Sequence, residues 1–142
     1  MRLEFTIKCI PPKSTHQAGL RILKRKSDGQ QFIGRFATSK SKHATNELMM
    51  LFEPHRPAVS FKGPLRLTIL WMYPYRKSEP KSRRWPCKPC DTRPDVDNIF
   101  KGIGDILTRL GFYGDDGQVA ELHLTKCWNA ETGIAVTLEE LT

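Results

Sequence analysis

The chain has 142 residues, enough for one domain with a single core and too few for two. Its 23 Lys and Arg against 15 Asp and Glu leave a net charge of +8 and a pI near 9.5, which suits a polyanionic partner, nucleic acid or an acidic membrane surface. No run reaches the roughly 18–20 apolar residues of a membrane span, and the opening Met-Arg-Leu-Glu-Phe-Thr-Ile-Lys alternates instead of forming a signal peptide's apolar stretch, so a cytoplasmic protein with reduced cysteines is expected.

Residues 3–10 put Leu3, Phe5, Ile7 and Cys9 on one face and Glu4, Thr6 and Lys8 on the other, a half-buried strand stopped by Pro11-Pro12. A hairpin is expected next: a basic run from Leu20 to Lys26, a Ser27-Asp28-Gly29 turn, and a second strand near Phe32–Phe36. Its cations Arg21, Lys24, Arg25, Lys26 and Arg35 are either a solvated face or a DNA contact, and the overall charge favours DNA. Residues 40–53 predict a helix with Leu48, Met49, Leu51 and Phe52 on its apolar side, methionines serving as core filler, and Pro54 at its end. Leu65 to Tyr73 is dense in β-formers and apolar nearly throughout, as a central and mostly buried strand would be.

Residues 74–94 change character. Arg76, Lys77, Lys81, Arg83, Arg84, Lys88 and Arg93 stand among two acidic residues and four prolines ahead of Pro94, so a long loop is expected. Loops of this length inside small domains are usually functional, and Tyr73, Tyr75 and Trp85 interleave with the charges. That combination suits phosphate contact with stacking on unpaired bases. Cys87-Pro-Lys-Cys90 looks like half a zinc site, with Cys9, His123 and Cys127 as further candidates. His123 and Cys127 lie about 13 Å apart along one strand and cannot share an ion, and no second Cys-x-x-Cys exists. Incidental loop cysteines are the expectation over a zinc site or a redox pair.

The stretch 93–118 carries the chemistry. Asp95 reads as the N-cap of a helix of about four turns, with Val96, Ile99, Phe100, Ile103, Ile106, Leu107 and Leu110 on one arc and Gly111 as its stop. Asp97, Lys101, Asp105 and Thr108 line up on the opposite arc, and Asp115-Asp116 follow in a tight turn. Each carboxylate alone is ordinary, as a cap, a solvated residue or an Asp-Gly turn. Together they could meet around a hard divalent cation such as magnesium, which takes one or two carboxylates plus water and phosphate oxygens, with Lys101 reaching a phosphate or a leaving oxygen. Val119 to Trp128 alternates as a strand, with Ala120, Leu122 and Leu124 on one side, and Ile134 to Leu138 is expected to return beside it as a hairpin. Lys126 lies about 33 Å of extended chain from Asp116 and is read as a DNA or structural contact.

The run Asp95-Val-Asp97-Asn98, Lys101, Asp105, Gly111-Phe112 and Asp115-Asp116-x-Gln118-Val119, with spacing kept to Lys126, resembles RusA-type Holliday-junction resolvases over about a quarter of the chain. The resemblance implies that Asp95, Asp97 and Asp116 hold the catalytic magnesium, for which manganese can substitute, with Asp115 the alternative third ligand. It implies that Lys101 is needed for cleavage, that the substrate is a four-way DNA junction cut by paired symmetric nicks, and that the protein is a homodimer in a bacterial or phage setting. The sequence departs from the pattern at Pro94, where a basic residue would be expected, and at Gly102 and Gly104, which cost a helix interior about 1 kcal/mol each relative to alanine.

The expected architecture is a single α+β domain over residues 1–142: a small mixed or antiparallel sheet from strands near 3–10, 65–73, 118–128 and 134–139, packed by helices near 40–53 and 95–110. The expected DNA contacts are Lys24, Arg25, Arg76, Lys77, Lys81, Arg83, Arg84, Lys88, Arg93 and Lys126. A non-catalytic basic DNA-binding protein of a phage or mobile element, and a small scaffold protein whose charge serves solubility, are the other readings the residues leave open.

Overall fold

The computed structural model describes residues 1–13, 18–37 and 39–142, with the backbone alone at 18–23, 32–37 and 39–41. In chain order the elements are β1 (Arg2–Ile7), β2 (Ala18–Lys24), β3 (Gln31–Ala37), α1 (Ser39–Phe52), β4 (Leu65–Tyr73), β5 (Lys88–Pro89), α2 (Val96–Arg109), β6 (Val119–Trp128) and β7 (Gly133–Glu140). The fold is α+β, as expected. One five-stranded mixed sheet runs in the order β1-β7-β4-β6-β5, antiparallel at every pairing except the parallel β4–β6, and β2 and β3 form a separate antiparallel hairpin.

The sheet has one covered face. Phe5 and Ile7 of β1, Leu65, Leu67, Ile69, Trp71 and Tyr73 of β4, and Ile134, Val136 and Leu138 of β7 join one core with Leu48 and Phe52 of α1 and Ile99, Ile103, Ile106 and Leu107 of α2. Strand residues two apart point the same way, so these alternate positions form the helix-facing side. The intervening positions face away, where Arg66 pairs with Glu121 (2.5 Å) and Glu139 (3.1 Å). β4 is central as expected, but only its helix-facing side is covered throughout. Met49 packs against the core, whereas Met50 is 74% exposed and fills nothing.

The expected β6–β7 hairpin does not form. β4 lies between the two, pairing parallel with β6 and antiparallel with β7. Residues 129–132 arch over the end of β4, held there by the Asn129 amide donating to the Tyr73 carbonyl (2.8 Å). The arch lands at Gly133, where a Cβ would stand 2.3 Å from the Ile7 carbonyl oxygen, so only glycine lets β7 enter beside β1.

Candidate active site

Helix α2 has its buried arc where the periodicity put it, apart from Val96, which is 48% exposed. Asp95 occupies the N-cap position with extended backbone, and its carbonyl accepts from the Ile99 amide (3.1 Å), but its side chain makes no capping hydrogen bond. That carboxylate is exposed at the positive end of the helix. Asp97 is also exposed, with the Lys101 ammonium 3.9 Å away one turn on. The helix ends at Gly111, whose φ of +77° suits glycine at the C-terminal stop.

The turn that follows is tied down from outside. The Phe61 amide donates to the Phe112 carbonyl (2.8 Å) and the Ser60 hydroxyl to the Gly111 carbonyl (2.6 Å). The Gln118 side chain donates to the Gly63 carbonyl (3.0 Å) and accepts from the Gly114 amide (2.8 Å). Asp115 is spent inside this turn: its carboxylate accepts from the Gly117 amide (2.9 Å) and completes a reciprocal cap with Gln118. Asp116 instead reaches back to α2. Its Oδ1 accepts from Thr108, whose single hydroxyl proton is shared with the Gly104 carbonyl (3.1 and 2.8 Å). Its Oδ2 lies 3.7 Å from where a Cβ on Gly104 would be. Positions 97, 101, 104 and 108 are spaced by four, three and four, a single stripe of a helix. Asp116 therefore comes down on the stripe that carries Asp97 and Lys101. Tyr113 lies buried beneath, its phenol pushed up by burial and by the neighbouring Asp116 carboxylate, so it stays neutral.

Among the described residues, no three acidic, cysteine or histidine side chains converge closely enough to enclose an ion. The donors present nonetheless fit a hard cation: all are carboxylate oxygens, the Asp95 side chain makes no cap, and Asp116 has one oxygen outside its hydrogen bond. Magnesium needs one or two such ligands and completes its shell with water and phosphate.

Lys126 donates to the carbonyls of Thr92 and Pro94 (the latter at 2.8 Å), bracing the chain just ahead of Asp95. The 74–94 segment is ordered around Glu79, which pairs with Lys88 and with Arg76 (3.4 Å); the Lys88 ammonium holds its carboxyl below the usual range. Arg84 donates to the Glu79 carbonyl (3.0 Å), Tyr75 donates to the Trp85 carbonyl (2.5 Å), and Arg76 stacks 4.3 Å over the Trp128 ring. Arg76, Arg84 and Lys88 thus build the loop, whereas the side chains of Lys77, Lys81, Arg83 and Arg93 are exposed, with no ion pair or hydrogen bond among the described residues. On the hairpin, Lys24 is exposed and Arg25 pairs loosely with Asp28 (3.4 Å), while the side chains of Arg21 and Arg35 lie outside the described residues. The Cys127 thiol is pushed up to about 12, mainly by burial, with the neighbouring Cys87 thiol adding to the shift. The sequence puts Thr108 in line with Asp97 and Lys101 but gives it no role; its contact with Asp116 depends on the turn beyond the helix.

A family model described as endodeoxyribonuclease RusA matches residues 3–139. The chain belongs to the RusA endodeoxyribonuclease family. The match reaches into every strand of the five-stranded sheet and takes in both helices, far beyond the aspartate run. Among relatives, the crossover junction endodeoxyribonuclease rusA of Lactococcus phage r1t is 28% identical over 142 aligned positions, covering 99% of this chain and 100% of that protein. The uncharacterized protein YqaN of Bacillus subtilis (strain 168) is 31% identical over 110 residues, 72% of this chain and 76% of its own length. In common with the composition, no helix among the described residues is long and apolar enough to cross a membrane.

Proposed function

We propose that this RusA-family chain is a magnesium-dependent endonuclease that resolves four-way DNA junctions by paired nicks, acting as a homodimer with one site per subunit. The observation that carries the reading is the return of Asp116 onto the Asp97–Lys101 stripe of α2, while its neighbour Asp115 is consumed as a cap. Asp95, Asp97 and Asp116 would hold the ion. When bound, magnesium polarises the scissile phosphate and eases deprotonation of the attacking water.

The protein's own groups do the rest. Thr108 fixes the rotamer of Asp116 through its hydroxyl. Lys101 sets a positive charge beside the phosphate or leaving oxygen, where charge grows as the bond breaks. Lys77, Lys81, Arg83 and Arg93 meet backbone phosphates, and two-fold symmetry lets two sites face the two strands that must be cut.

The test is a labelled four-way junction beside a matched duplex, each with and without magnesium. Paired cuts confined to the junction and to the magnesium lanes are expected, from a species of twice the 16.3 kDa chain mass in sedimentation. Junction binding with no cut under any divalent ion would replace this reading with a non-catalytic DNA-binding one.

A further inference from the structure

We propose that a cavity beside the end of β4 receives one nucleobase unstacked from the strand being cut, next to the scissile phosphate. The proposal rests on the nuclease reading and adds to it a subsite that selects branched over paired DNA.

The cavity, partly open to solvent, has a volume of about 490 Å³, within the usual size of a small-ligand site. Its lining includes Tyr73, Pro74, Tyr75 and Trp128 together with the cations Lys13, Arg76 and Arg93, and no acidic residue among the described ones. Aromatic walls beside positive charge match an aromatic ligand that carries phosphate. The stacking surface is already assembled, because the Arg76 guanidinium lies 4.3 Å over the Trp128 ring with its own side chain half exposed. Guanidinium planes and aromatic faces are the surfaces on which proteins hold splayed bases. The walls are fixed in advance as well: the Tyr73 hydroxyl donates to the Pro12 carbonyl (2.8 Å) and that of Tyr75 to the Trp85 carbonyl. Burial pushes the Tyr73 phenol up to about 12, so that phenol is neutral at any working pH.

Position decides which base. Thr92 and Arg93 line the cavity, and Asp95 follows Arg93 by two residues, no more than about 7 Å of chain. Lys126 holds the carbonyls of Thr92 and Pro94, so cavity and aspartate sit on one braced segment. A phosphate at Asp95 therefore puts its own or an adjacent base at the cavity mouth. In duplex DNA, filling the cavity requires breaking a pair and a stack. At a branch point that disruption is smaller, so the cavity favours junctions.

The experiment uses a four-way junction carrying 2-aminopurine at each nucleotide flanking the cut in turn, bound by the full chain in calcium or EDTA. Fluorescence should rise at one position per cut strand. Ile10→Trp, made at a 69% exposed residue at the cavity's edge, should fill the mouth, abolish the rise and lower the junction-over-duplex preference about tenfold. Ile10→Ala should leave both intact. An abasic nucleotide at the responsive position should cause the same loss, and the two losses should not add, since both remove one contact. A rise at no position, a rise that survives Ile10→Trp, or additive losses would overturn the proposal. If the wild-type chain still cuts the junction under those outcomes, the subsite alone falls. A base-specific rise without cleavage in magnesium would instead remove the nuclease reading.

Discussion

Gly104 is the residue at which stability and chemistry pull apart. Alanine there would meet Phe100 at 3.6 Å and Asp116 Oδ2 at 3.7 Å, ordinary contact distances, and would remove the entropic cost of glycine in a helix. Gly104→Ala should therefore stabilise the fold by roughly 0.5–1 kcal/mol in urea unfolding while raising the magnesium needed for half-maximal cleavage, because the methyl group crowds the oxygen left for the ion. The aspartates themselves are predicted to separate cutting from binding. Asp95→Asn, Asp97→Asn and Asp116→Asn should each abolish cleavage and keep or tighten junction binding, since each removes a negative charge facing the DNA backbone. Thr108 can still donate to an asparagine oxygen at 116, so that variant should melt like wild type. Lys101→Ala should bind normally and slow single-turnover cleavage about 10²–10³-fold. Full activity in all three aspartate variants, or a Lys101→Ala protein that binds poorly but cuts normally when saturated, would remove these assignments. The acidic run was readable because helix spacing put Asp97 and Lys101 in line. Which of Asp115 and Asp116 turns toward the helix was not, because both follow the same glycine, and the packing of residues 60–63, between α1 and β4, orients the turn.

At the scale of elements, the proline-rich segment is a case of one carboxylate organising many cations. Glu79 collects Lys88 and Arg76, and its carbonyl takes Arg84. Because the Glu79 pKa is depressed in the folded protein, its contribution is fully present above the ordinary carboxylate range and is lost as pH falls through the depressed value. Acrylamide quenching of Trp85, whose ring carries the Lys88 ammonium at 4.4 Å, should rise across that acid window in the wild type. In Glu79→Gln quenching should already be high at neutral pH and insensitive to acid. The free cations should behave differently from the structural ones: Lys81→Ala with Arg83→Ala should weaken junction binding and flatten its log-log salt slope by about 1.8, with loop quenching unchanged. An unaltered slope would mean neither side chain meets phosphate. The sequence showed this segment's charge and prolines but not its order, since a single Glu79 among seven cations carries no periodicity to read. Strands were legible for the opposite reason, as alternation is local. Strand neighbours were not: a short turn after Trp128 suggests a hairpin, yet β4 needs a partner on both edges and takes the place between.

Across the whole molecule, the two faces of the sheet do different work. The open face of the sheet is laced by Arg66 with Glu121 and Glu139, three partly exposed groups that tie β4, β6 and β7 together. The helix-covered face holds the core and, at the rim of α2, the candidate site. Family membership spans nearly the full chain, while the aspartate run from which it could first be read covers about a quarter of it. The rest of the match lies in strand order and core, which no short motif records. The place of β7 has a consequence for how the protein comes into being on the ribosome. Among the described residues β1 pairs only with β7, and β4 has β7 along one whole edge. A nascent chain that has emerged as far as Thr132 already displays every aspartate and lysine of the candidate site, yet has no partner for its first strand. Chains arrested at that point should be digested by a protease that spares those released at full length. Under the function proposed above, synthesis withholds a working nuclease from the surrounding DNA until residues 133–140 close the sheet.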